Sequence, residues 1–187
     1  MQIPAAWDEV RALPIEDRGH YTVYLPSYDD TRIIKMLKNF GHINWEVFSK
    51  HTNKCYVSGN VCVQPIENDK FIGSMASSKG VLCGAGFETP AEALFLKKKL
   101  AVIPMKMQYE QQCNAKALEE FNAMSVPKLD DDFPKHFKNW IEQFEPIKLT
   151  LSHSTEEIIR AVIHKAPSYS ISSATITSTL SPLEMAI

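Results

Sequence analysis

The sequence predicts one α/β domain, a parallel sheet with helices on both faces. Two observations predict it. Short strand-like runs alternate repeatedly with stretches patterned for helix, the order that builds parallel sheets. Several of those runs are apolar throughout, as strands buried on both faces require. A length of 187 residues suits one ordinary domain, and 44% hydrophobic residues can build its core.

The elements follow in order. Residues 1–19 carry Pro4, Pro14 and mixed charge, and read as a lead-in or linker with one short helix around Trp7–Leu13. His20–Leu25 is a strand stopped by Pro26. Asp29 and Asp30 are candidate N-caps for a helix that carries Ile33, Ile34, Met36, Leu37 and Phe40 and ends at Gly41. Ile43–Phe48 is a second strand. Lys54–Val57 and Val61–Val63 flank the turn signal Ser58-Gly59-Asn60 and form a pair of short extended segments. Glu67–Ser77 is a helix with Phe71, Ile72 and Met75 facing inward. Gly80–Cys83 is a buried strand, and Pro90–Leu96 a helix opened by its proline. Leu100–Ile103 is a strand closed by Pro104. Helices over Tyr109–Asn122, Asp132–Phe144 and Ser154–His164 complete the pattern, the last with a capping box. The domain therefore runs 20–165, and the Ser/Thr-rich residues 166–187 are a tail.

Composition excludes several function classes. A net charge of -2 offers no concentrated basic face for nucleic acid. The one basic cluster, Lys97-Lys98-Lys99, reads as a solvated helix end. Cys55, Cys62, Cys83 and Cys113 lack C-x-x-C pairing, which argues against zinc and for a reduced, cytosolic chain. No signal peptide and no run of about 20 apolar residues is present. Membrane contact is expected only through a further domain.

The chemistry concentrates between Lys79 and Ala115, a strand, a glycine-bearing turn, a helix, a strand, a polar loop and another helix. In an open parallel sheet, ligands sit outside the carboxyl ends of the strands, where such turns lie. Gly84 and Gly86 remove side chains from the turn, so a ligand can approach the backbone. The amides of Phe87, Glu88 and Thr89 lead into a helix whose N-terminal dipole favours an anion, and phosphate is the natural occupant. The stretch is neither a Walker A loop nor the full dinucleotide fingerprint. Glu92, in the first turns of the helix, can accept from two ribose hydroxyls. Gln108, Glu110, Gln111 and Asn114 offer paired donors and acceptors suited to sugar hydroxyls. Each also has a plainer reading: turn glycines, a surface glutamate, helix caps. His51 is either a loop histidine or a group beside the base or phosphate. His20, His136, His153 and His164 are read as structural.

These motifs resemble the donor-binding domain of GT-B glycosyltransferases. G-A-G-F-x-T-P-x-E-A-L, an apolar strand ending in Pro, then Q-Y-E-Q-x-x-N-A is similar to a family of bacterial and archaeal glycosyltransferases, and more distantly to the peptidoglycan lipid-intermediate N-acetylglucosaminyltransferase. The likeness spans His20 to Ile163 and is specific from Gly84 to Ala115. It implies a Rossmann-like domain, one half of a GT-B fold. It places the ribose of a uridine diphosphate (UDP) sugar on Glu92 and the diphosphate at the turn of Gly86, Phe87 and Thr89. Gln108, Glu110 and Gln111 would face the sugar, Asn114 would support their loop, and Ile66 would receive the base. Ser27, between Pro26 and Tyr28 after the first strand, matches a phosphate-side loop, although that loop's usual glycines are absent.

The resemblance implies sugar transfer to an acceptor hydroxyl. The donor is a substrate, no cofactor or metal is called for, and the catalytic residues are not identified. The base and acceptor site would belong to an N-terminal domain that is missing here, so nucleotide-sugar binding without turnover is expected of this chain. A GT-B UDP-sugar epimerase, a non-catalytic nucleotide-binding module and a generic flavodoxin-like domain stay open alternatives.

Overall fold

The computed structural model describes residue 10 and residues 12–145. The helix expected at Ser154–His164 and the tail 166–187 lie outside the described residues, as does most of the lead-in helix.

The described chain is a mixed α/β domain. Strands β1 (His20–Tyr24), β2 (Asn44–Ser49), β3 (Tyr56–Ser58), β4 (Val61–Pro65), β5 (Gly80–Gly84), β6 (Lys99–Ile103) and β7 (Met124–Ser125) form one sheet in the order β3-β4-β2-β1-β5-β6-β7. All pairings are parallel except β3 with β4, the short hairpin foreseen around Gly59. Gly59 takes φ of 69°, a conformation that favours glycine. Helices α1 (Asp30–Leu37), α2 (Asn68–Ser77), α3 (Glu88–Phe95), α4 (Tyr109–Glu119) and α5 (Phe133–Gln143) cover it.

Strand alternation divides the core in two. Tyr21, Val23, Trp45, Val47, Leu82 and Ala101 pack on one face against Ile33, Met36 and Leu37 of α1 and Phe133, Phe137 and Trp140 of α5. The rings of Phe137 and Trp140 stack at 4.7 Å, and Trp140 Nε1 donates to the buried Leu100 carbonyl at 3.0 Å. Phe48, Val81, Cys83 and Val102 pack on the other face against Phe71, Ile72 and Met75 of α2 and Ala93 of α3.

The structure corrects several local expectations. Gly41 does not stop the first helix, which ends at Leu37. The Asn39 side-chain amide donates to the carbonyls of Lys35 and Met36 and satisfies the helix end before Gly41 is reached. The third helix opens at Glu88, so Pro90 sits inside its first turn, where a missing N–H still costs nothing. The lysine run is not simply solvated. Lys97 adopts φ of 56° and ends the helix, which turns Lys98 inward to 6% exposure. Lys98 Nζ donates to the carbonyls of Glu16 and Ser78, each at 2.8 Å, and burial lowers its pKa. The lead-in is thereby pinned, with help from the Glu16 and Arg18 amides, which donate to Ala76 and Ser77. Strand β7 was not foreseen, because two residues carry no readable alternation.

Candidate functional site

Strand order places the site. From β1 the chain moves outward to β2 and β4, then returns to β1's other side as β5 and continues to β6 and β7. The direction reverses between β1 and β5. Loops leaving their carboxyl ends part there and open a crevice, where α/β sheets bind ligands.

A cavity of about 400 Å³ occupies that crevice. Its walls combine Pro26, Ser27 and Tyr28 after β1, the turn Gly84–Pro90 after β5, and Ile103, Met105 and Gln111 after β6. Of the residues expected to bind ligand, Ser27, Gly84, Gly86, Phe87, Thr89 and Gln111 line it. Sequence reasoning had not assigned Tyr24, Leu25, Ile103 or Met105 to the site. Strand adjacency brings them in beside the turn.

The glycines have no structural duty here. Neither Gly84 nor Gly86 has positive φ, and a Cβ added at either would meet nothing within 4 Å. The space they leave open belongs to the cavity. Helix α3 begins behind them without a side-chain cap, so the amides of its first turn lack an internal partner. Bare amides at a helix start make an anion site, and the dipole adds roughly half a positive charge.

The remaining candidates lie around this centre. Glu92 is partly buried one turn further along α3, beyond the lining. Burial, and then the charge of Glu88, raises its pKa. Gln111 Oε1 accepts from the Met105 amide at 2.9 Å, and its Nε2 donates to Gln108 Oε1 at 2.9 Å. Gln108 therefore stands behind Gln111 and not at the wall, while Glu110 is exposed outside it. Asn114 Nδ2 donates to the buried Ala85 carbonyl at 3.1 Å and ties α4 to the glycine turn. Ile66, 41% exposed after β4, sits at the same sheet edge but not in the lining. Tyr28 is held from outside, its hydroxyl accepting from the Leu129 amide.

Other candidate groups do not join. His51 is exposed on its loop. His20 is buried and bonded through Nε2 to Ser74, at the edge of a larger groove of about 700 Å³ near the amino ends of β1, β2 and β4. That groove lies away from the carboxyl edge. Among the described residues no group of three His, Cys, Asp or Glu could hold a metal, and no helix is long and apolar enough to cross a membrane.

The chain is similar to known proteins in family and in fold. The model of glycosyl transferase family 1 matches residues 3–144. Among solved structures, the spinosyn forosaminyltransferase SpnP superposes with a TM-score of 0.52 at 11% identity over 76% of this chain and 38% of its own. The glycosyltransferase SnogD from Streptomyces nogalater gives 0.50 at 11% identity over 70% of this chain and 35% of its own. The glycotransferase of kitacinnamycin gives 0.49 at 14% identity over 70% and 37%. This chain thus spans little more than a third of their length, and the likeness is one of fold. No curated protein sequence matches it.

Proposed function

The chain belongs to glycosyl transferase family 1, and from that premise we propose that it is the donor-binding half of a two-domain glycosyltransferase. The donor is a nucleotide-sugar, with UDP as the nucleotide. Its diphosphate lies in the cavity against the amides of Phe87, Glu88 and Thr89, its ribose reaches toward Glu92, and its sugar extends toward Gln111. The acceptor and the general base come from a partner domain facing this sheet edge.

One observation carries the reading: an uncapped helix start faces glycines that the fold itself does not need. In transfer, the bond from the anomeric carbon to the diphosphate breaks as the acceptor oxygen attacks. Negative charge grows on the diphosphate oxygens. Fixed amides and the α3 dipole stabilise that charge without reorganising, and a base on the partner domain takes the acceptor proton. This chain alone is therefore expected to bind donor without turning it over.

Calorimetric titration with UDP tests the proposal. Saturable 1:1 heat supports it. Absence of heat with UDP and with the thymidine and guanosine diphosphates would sink it.

A further inference from the structure

The cavity read as an anion site is lined by no positive side chain. Of the described residues that line it, Glu88 alone carries a charge, and that charge is negative. Ser27, Tyr28, Thr89 and Gln111, the lining side chains able to donate to phosphate, are neutral. Glu88 is exposed at the first position of α3, and among the described residues no lysine, arginine or histidine forms an ion pair with it. Its field reaches one turn along the helix, where it helps to raise the pKa of Glu92. A carboxylate at a helix start favours the helix, but this one stands among the amides assigned to the diphosphate. It repels the anion that those amides bind, and repels it more as the anion's charge grows.

We propose that Glu88 is a specificity-determining residue that sets the cavity to prefer the nucleotide-sugar over the free nucleoside diphosphate that transfer releases. The inference rests on the donor-site reading and adds how that site tells donor from product. In a nucleotide-sugar the diphosphate is esterified at both ends, with one negative charge on each phosphate. Transfer breaks the bond to the anomeric carbon, and the freed phosphate oxygen keeps the bonding electrons. A terminal phosphate loses its second proton near about pH 6, so at neutral pH and above the product carries a further charge. That charge arises inside the field of Glu88. The donor meets the smaller repulsion and the spent nucleotide the larger one.

The test is calorimetric titration of the full chain at low salt, where an exposed charge is least screened. Its two probes are UDP and UDP methylated on the terminal phosphate, which holds that phosphate at the charge it has in a donor. A chelator keeps divalent cations from both. Glu88→Gln keeps the shape of an exposed side chain and removes its charge. In that variant UDP is expected to bind about tenfold tighter, and the methyl ester no more than about fivefold tighter. No gain for UDP would overturn the proposal, as would a gain for the methyl ester equal to or above that for UDP. If neither the unmodified chain nor the variant gives heat with UDP, the donor-site reading falls, and the role of Glu88 with it.

Discussion

Asn114 on α4 holds the backbone of Ala85 in the glycine turn, its Nδ2 donating to that carbonyl at 3.1 Å. Two segments that both line one cavity are thereby locked together. Ala85 is fully buried, and Asn114 supplies the donor to its carbonyl.

Asn114→Ala is expected to destabilise the domain by about 1–2 kcal/mol, the cost of an unsatisfied buried carbonyl. Because the turn it frees presents the amides of α3, UDP affinity falls as well. Denaturant melts and calorimetry on one preparation check both effects. A variant that loses neither would show the bond to be incidental.

The glycines separate fold from function. Gly86→Ala adds a methyl into open space at ordinary φ, so stability should hold or rise by up to about 1 kcal/mol. UDP binding should weaken at least about tenfold, since the methyl occupies ligand volume. Gly80→Ala is the contrast. Its Cβ would lie 2.9 Å from Lys99 Cβ and 3.0 Å from Trp140 Cη2, and about 1–3 kcal/mol of overpacking is expected. If both variants unfold alike, the distinction fails.

Glu92 predicts a pH dependence. Burial and Glu88 raise its pKa above the ordinary 4.5. Between 4.5 and the raised value the folded state holds more proton than the unfolded one, so stability falls as pH rises through that window. Above it the full penalty remains. Glu92→Gln should accordingly stabilise the domain at pH 7, with the gain shrinking as pH drops to 4.5 and below. The same change should weaken UDP binding, because a carboxylate that accepts from ribose is lost. Melts from pH 4 to 8 decide the first point, and titration the second.

Met107 occupies a left-handed conformation, φ of 64°, with its side chain 89% exposed. Left-handed backbone costs a residue with a Cβ about 1–2 kcal/mol, and here no packing compensates. Met107→Gly should raise the melting temperature, part of the gain being offset by the freer unfolded chain. A lowered melting temperature would contradict this account of Met107.

Sequence alone determined most of the described elements and the residues of one turn. Period-two and helical spacing are local properties, and they located β1, β2, β5, β6 and helices α1 to α5 to within a few residues. Gly84, Gly86 and Thr89 were legible as parts of one turn for the same reason, since a turn and the helix it opens are contiguous. The site's completion is not local. Ser27 and Tyr28 meet the Gly84–Pro90 turn only because β5 returns to lie beside β1, and strand order is set by how whole faces pack. Lys98 looked like a solvated charge until the left-handed turn at Lys97 directed it onto Glu16 and Ser78. Gln111 looked unpartnered until the fold delivered the Met105 amide to its oxygen. A sequence states which groups a side chain carries; the neighbours that consume them are chosen by the packed chain.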